Sequence, residues 1–194
     1  EELDLGSAFW WSPDGSSIAY MQFDLHPVQV FPQVDYLHDP ARVEPQRYPK
    51  AGTPNPDVRV GVVPAGGGAT RWLELGDPRG QLIGRVQWLP KGGQLAVIRM
   101  NRIQDRLHLL LADPESGRTK VLLEERDPYW VNLSDAFHFF TNREALLWSS
   151  ERDGFRHFYL YDLEGKLERR LTEGEWEITE LAGVDEKSGT IHYV

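Results

Sequence analysis

Short runs of apolar or alternating residues, bounded by Gly, Pro, Asn or Asp, recur along the whole chain, while a helical period of 3.6 is hard to find. The runs predict strands at 16–23, 58–63, 71–75, 95–100, 107–112, 121–123, 145–149, 158–161 and 190–194. Nearly all are short, as in domains built from many small antiparallel strands.

The runs are organised by a weak internal repeat. Trp11-Ser12-Pro13-Asp14-Gly15 precedes Ile18-Ala19-Tyr20 as Trp88-Leu89-Pro90-Lys91-Gly92 precedes Leu95-Ala96-Val97. Looser copies run from Phe139 through Asn142 to Trp148, and from Val184 through Gly189 to Tyr193. The first three copies are each followed by a second turn signal: Pro64 to Gly68, Pro114 to Gly117, and Leu163 to Gly165. Two hairpins per repeat of about 45 to 50 residues is the signature of four-stranded propeller blades. The chain therefore reads as all-β: three blades and the start of a fourth.

One repeat is interrupted. The segment 24–57 holds seven of the thirteen prolines and, with Phe31, Tyr36 and Tyr48, several aromatics. Proline removes a ladder donor, so an ordinary central strand or a helix is excluded and an extended arm is expected. A long insertion carrying aromatics is a plausible contact surface.

Composition narrows the function classes. The aromatic content, seven Trp, seven Tyr and eight Phe in 194 residues, suits half-buried pleated surfaces. A formal charge of −9 argues against nucleic-acid partners, which require Lys and Arg to displace counterions, and favours a cationic one. Without cysteine there is no disulfide framework and no thiolate metal site. No apolar run approaches the roughly 20 residues of a membrane-spanning helix. Lacking an initiator Met and a signal peptide, and stopping inside an apparent strand, the sequence is expected to be a piece of a longer polypeptide.

Several chemistries fail on inspection. No Gly-x-Ser-x-Gly is present, so the strained turn that exposes a nucleophilic serine in α/β-hydrolases is missing. Ser149, Ser150, Asp153 and His157 could be imagined as a triad, but they crowd one hairpin and no oxyanion-binding turn is apparent. The six histidines lack metal-ligand spacing, and Pro64 to Thr70 lacks the Gly-Lys-Ser/Thr ending of a phosphate loop. No catalytic residue, metal or cofactor is expected. Arg152, Asp153 and Arg156 are read as solvated or paired blade residues, and Trp10, Trp11, Trp88, Trp130, Trp148 and Trp176 as core or inter-blade packing.

What remains is an acidic pair, Glu1-Glu2, with seven residues separating Glu2 from Trp10-Trp11-Ser12-Pro13. Together with Tyr48-Pro49-Lys50-Ala51-Gly52, Asn55-Pro56, Tyr129-Trp130-Val131, Ser150 to His157 and Leu171-Thr172-Glu173-Gly174, it resembles the propeller half of the dipeptidyl peptidase IV family, within the prolyl oligopeptidase group. The resemblance covers nearly the whole chain, although Asp24-Leu25-His26 stands where the family often has Asp-Glu-Ser.

The resemblance implies an eight-bladed parent propeller joined to a C-terminal α/β-hydrolase domain, here absent. It further implies a serine exopeptidase that removes N-terminal dipeptides with Pro or Ala second, a homodimer to which the arm from Phe31 to Tyr48 contributes, and a secreted or periplasmic setting. Glu1 and Glu2 would bind the substrate's free α-ammonium. A peptide amine with a pKa near 8 presents three donors at neutral pH, and two close carboxylates gain by sharing it. A non-enzymatic TolB-like propeller acting as an interaction scaffold is the alternative. It accounts for the repeats and not for the acidic pair, the arm or Tyr48 to Gly52.

Overall fold

The computed structural model describes residue 3 and residues 5–194; Glu1 and Glu2 lie outside the described residues. Every regular element among these is a strand.

The first sheet contains β1 (Phe9–Trp11), β2 (Ser17–Asp24), β5 (Asp57–Pro64) and β6 (Arg71–Trp72), paired in that order. The second contains β7 (Gln81–Trp88), β8 (Leu95–Asn101), β9 (Arg106–Ala112) and β10 (Thr119–Arg126). The third contains β11 (His138–Phe139), β12 (Ala145–Ser150), β13 (His157–Asp162) and β14 (Leu167–Arg170). A final hairpin, β15 (Leu181–Asp185) with β16 (Thr190–Tyr193), begins a fourth unit. All pairings are antiparallel, and each four-stranded sheet is a meander of hairpins, as the repeat requires.

The repeated turn sequences act as expected. Asp14 Oδ1 accepts from Ser12 Oγ at 2.5 Å and from Ser16 N at 3.1 Å, closing the β1–β2 turn. These bonds, led by the one from the Ser12 hydroxyl, hold the Asp14 carboxyl at a pKa of about 2.

The sheets pack face to face. Ala19, Val60, Val62, Val86, Trp88, Val97 and Leu110 form the core between the first and second. Ile98, Leu107, Leu109, Leu123, Phe139, Leu146, Trp148 and Tyr159 fill the space between the second and third. Leu147, Phe158 and Ile178, with Leu181, Val184 and Ile191, join the third to the final hairpin. Both faces of a central strand are therefore buried, which is why β8 opens with the unbroken apolar stretch Leu95 to Ile98 and β12 with Ala145 to Trp148.

Backbone contact also stitches the outer turns. A Cβ on Gly117, in the β9–β10 turn, would lie 2.4 Å from the carbonyl oxygen of Trp72, at the end of β6. A Cβ on Gly165, in the β13–β14 turn, would lie 2.3 Å from that of Leu122, the bulged residue of β10. Each outer turn thus rests directly on the outer strand of the preceding sheet.

Four sequence expectations are corrected. The strand at 71–75 stops at Trp72, with Leu73 and Leu75 continuing as buried irregular chain. The run 121–123 is the middle of the longer β10, whose alternation is broken at its bulge. β7 has no counterpart among the expected strands, because its alternation is interrupted at Gly84, where the register shifts by one residue. The Pro-rich arm is not merely extended: β3 (Val30–Asp35) and β4 (Arg42–Arg47) pair as a hairpin, with Pro32 directly opposite Pro45. Two prolines can face each other at a pair where neither residue must donate.

Candidate functional site

Between the second and third sheets a cavity of about 390 Å³ opens to solvent. One wall is the end of β10 and the loop that follows, with Glu125, Asp127 and Trp130; the other is the end of β12 and its turn, with Ser150, Glu151, Arg152 and Arg156. Asn132 and Ser134 close it from the side.

Local hydrogen bonds explain the shape. Asp127 Oδ1 accepts from the backbone N–H groups of Tyr129 at 2.8 Å and Trp130 at 3.0 Å, folding a tight turn. That turn leaves Trp130 48% exposed, so it is an available surface of the cavity and not the core or inter-blade packing expected from sequence.

The floor is an ion-paired network. Glu125 accepts from Trp148 Nε1 at 2.9 Å, from Ser150 Oγ at 2.9 Å, and from Arg152 Nη2. Arg152 also donates from Nε to Ser150 Oγ at 2.9 Å and from Nη1 to the Tyr161 hydroxyl at 2.5 Å, and its guanidinium lies over the Tyr159 ring. Burial disfavours the Arg152 charge, but the Glu125 carboxylate and the Tyr161 hydroxyl together outweigh it and the pKa is raised. Burial, followed by the hydrogen bond to Asp153, pushes the Tyr159 phenol up to about 12. Nearby, Glu151 accepts from Arg156 Nη2 at 2.5 Å and from Asn132 Nδ2 at 2.8 Å. Arg152, Asp153 and Arg156 are therefore paired, as expected; two of them also line the cavity.

The imagined triad is not assembled. His157 is fully buried, and both ring nitrogens are engaged, Nδ1 with Thr172 Oγ1 at 3.1 Å and Nε2 with the Gly174 carbonyl at 3.0 Å. Ser149 donates to Ser134 Oγ and Ser150 to Glu125, so neither serine meets an imidazole. A wider recess of about 740 Å³ lies among the turns of the first two sheets, lined in part by Ser12, Asp14, Arg71, Lys91 and Glu115. Its main acid, Asp14, is already occupied by turn hydrogen bonds.

The acidic pair itself lies outside the described residues, but the next residue does not. The Leu3 carbonyl accepts from Arg85 Nη1 at 2.6 Å. Arg85 in turn grips Asp135 through Nε at 2.5 Å and Nη2 at 2.8 Å, and Asp135 directly follows Ser134 of the cavity wall. Arg85, Asn132, Ser134 and Asp135 carry no role that the sequence alone suggests. Asn132-Leu133-Ser134 match no clear motif, and Arg85 is placed by a bulge that leaves no periodic trace.

Chemically, the cavity offers a half-exposed indole beside carboxylates and guanidiniums that are largely satisfied by one another. That combination suits a short ligand with an apolar part and a cationic end. Among the described residues no group of three or more His, Asp or Glu converges as a metal site would require, and no helix is long and apolar enough to cross a membrane.

Stacked four-stranded antiparallel sheets of this kind define a partial β-propeller. Comparison with known proteins gives the family. The whole chain, residues 1–194, matches the dipeptidyl peptidase IV N-terminal region. The chain belongs to this family. It is 28% identical to a probable dipeptidyl peptidase 4 of Emericella nidulans, over all of this chain and 28% of that protein. It is 30% identical to dipeptidyl peptidase 4 of Trichophyton rubrum, over 96% of this chain and 26% of that protein. The crystal structure of Porphyromonas gingivalis dipeptidyl peptidase 4 superposes with a TM-score of 0.88 at 30% identity, covering all of this chain and 28% of that one. A putative dipeptidyl aminopeptidase IV from Bacteroides ovatus gives 0.88 at 27% identity, over 98% of this chain and 30% of that one. The chain thus spans under a third of the length of each of these relatives.

Proposed function

We propose that this chain is the substrate-binding and gating part of a serine exopeptidase that removes N-terminal dipeptides, Xaa-Pro or Xaa-Ala, from peptides. In this reading residues 1–194 are part of an N-terminal propeller, and an α/β-hydrolase domain of the same polypeptide carries the nucleophile. Glu1 and Glu2 anchor the substrate's α-ammonium.

The observation that carries the reading is the tie from Leu3 through Arg85 to Asp135, which links the residue after the acidic pair to the wall of the cavity. Substrate entering there would meet Trp130 for its side chains, with Glu1 and Glu2 the proposed acceptors for its amine. An ammonium with three donors bridges two carboxylates that otherwise repel, so a free amino terminus is selected over a blocked one. If the hydrolase nucleophile sits at a fixed distance from this anchor, only a bond about two residues away, roughly 7 Å of extended chain, is within reach. The length of the released fragment then follows from the spacing between domains.

The arm fits a role in pairing two copies. Residues Val30, Phe31, Tyr36, Leu37, Val43 and Tyr48 are all exposed on it, and Leu37 is 96% so. A small hairpin with no buried face has little stability of its own, so a partner surface is the natural place for these side chains.

The anchor is tested by replacing Glu1 and Glu2 with Gln in the full-length protein and measuring turnover of a dipeptide anilide, with a free and with an acetylated amine. The expected result is a fall in kcat/KM confined to the free-amine substrate. Unchanged efficiency would falsify the anchor.

A further inference from the structure

β7 carries an extra residue at Gly84: Ile83 opposes Arg99 and Arg85 opposes Ile98, so the alternation of the strand shifts by one. Ile83, before the bulge, and Val86 and Trp88, beyond it, all face the core shared with the first sheet. Without the bulge Arg85 would share the face of Ile83. With it, the guanidinium emerges on the side of Leu82, toward the third sheet.

Gly84 has a second function in this geometry. A Cβ there would meet Leu133 Cδ2 at 2.9 Å and Cδ1 at 3.0 Å, so the bulge is the seat on which Leu133 rests. Leu133 belongs to the stretch that carries Asn132, Ser134 and Asp135. One irregularity therefore both aims Arg85 and lets its carboxylate partner land beside it.

Arg85 spends its donors on three segments far apart in sequence. It binds the Leu3 carbonyl and its own neighbour's carbonyl, Gly84, each at 2.6 Å, and forks onto both oxygens of Asp135. The side chain of Arg85 is only 19% exposed, while Asp135 is 68% exposed. A planar guanidinium suits such bracing because its N–H groups point in fixed directions, so holding one carboxylate with two of them orients the rest. A lysine could keep the charge but not the direction.

We propose that Arg85, held by Asp135, is a positioning residue that fixes the backbone immediately after the acidic pair, and so sets the place at which Glu1 and Glu2 receive the substrate's ammonium. The inference rests on the anchor reading above and adds the element that orients it. Among the described residues its link to the segment of the acidic pair is the Leu3 carbonyl, so the role proposed for it is one of positioning.

The test uses the full-length protein with a dipeptide anilide. Arg85→Ala is expected to raise KM about 10- to 100-fold while kcat changes much less, since an ångström of misplacement in a binding group can cost a factor of that order. Asp135→Asn should move KM in the same direction by a smaller factor, and Arg85→Lys should restore only part of it. Combined with the double Glu→Gln variant, Arg85→Ala should add little further loss, because both act on one interaction. If the Glu→Gln variant loses affinity while Arg85→Ala and Asp135→Asn, with unaltered thermal transitions, keep the parental KM, the positioning role is wrong and the anchor stands. If Glu→Gln has no effect but Arg85→Ala does, the anchor is wrong and Arg85 acts on something else, which also overturns the inference. Should Arg85→Ala not fold, Asp135→Asn alone decides: a parental KM refutes it.

Discussion

Gly165 is the point where a single methyl group should separate two sheets. Its φ is +89°, and an added Cβ would sit 2.3 Å from the Leu122 carbonyl oxygen. Nonbonded carbon contacts are optimal near 3.5 to 4.0 Å, so the β13–β14 turn would have to withdraw by about 1 Å or more. Gly165→Ala thus combines two costs: about 1–2 kcal/mol for a left-handed non-glycine residue and about 1–3 kcal/mol for overpacking. Gly154, with φ +96° and nothing within 4 Å of its virtual Cβ, isolates the first cost. The contact itself is therefore worth the difference, about 1–3 kcal/mol, or roughly 2–12 °C in midpoint for a domain of this size. Thermal unfolding of the parent, Gly154→Ala and Gly165→Ala, followed by circular dichroism, measures it. Equal midpoints for the two variants would refute the argument that outer turns are seated by direct backbone contact.

Two further outcomes follow from other parts of the molecule. Glu186, at the β15–β16 turn, accepts from Thr141 Oγ1 at 2.6 Å, from the Thr141 and Asn142 amides at 2.9 Å and from His138 Nε2 at 2.9 Å. The Thr141 hydroxyl leads in lowering its pKa from 4.5 to about 2. A depressed carboxyl stabilises the fold above its unfolded pKa and loses that contribution as pH falls through the folded one, so docking of the last hairpin should weaken between about pH 4.5 and 2. Glu186→Gln should flatten the pH dependence of amide exchange in 181–193 over that window, and an unchanged profile would dismiss the interaction. On the proposed pairing of two copies through the arm, Tyr36→Ser with Leu37→Ser should shift full-length protein from dimer toward monomer in analytical ultracentrifugation with turnover per chain preserved; a persistent dimer, or a parent that is already monomeric, would refute the arm as the interface.

The sequence discloses most of the blades because their turns are chemically marked. Asp14-Gly15, Gly92-Gly93 and Gly117 each require a positive φ or a side-chain cap, and they punctuate the chain at blade spacing. What it hides has a common cause. β7 and β10 both contain a bulge, and one extra residue inverts the alternation on which strand reading depends. β14 is legible to neither test, since the outermost strand Leu167–Arg170 is mostly exposed and carries no apolar stripe. The acidic pair stands out through family resemblance, but the support proposed for it does not: Arg85 and Asp135 are fifty residues apart and meet because Gly84 turns one strand toward the other sheet. Of the cavity residues, Trp130 is similarly a product of the Asp127 turn and Asn132 is held by Glu151, neither being marked by any spacing in the chain.

The arm leaves its blade in a manner that isolates it. β2 and β5 stay in register along their full length, from Ser17 opposite Pro64 to Asp24 opposite Asp57, so the inserted stretch departs and returns at one rung of an intact ladder. Lengthening, shortening or exchanging 25–56 would then amount to changing a hairpin loop, whose closure entropy varies only slowly with length. On the roles proposed above, self-recognition and peptide capture can consequently diverge on separate evolutionary schedules, one rewritten at the tip of a spur while the other stays moored to the scaffold beneath.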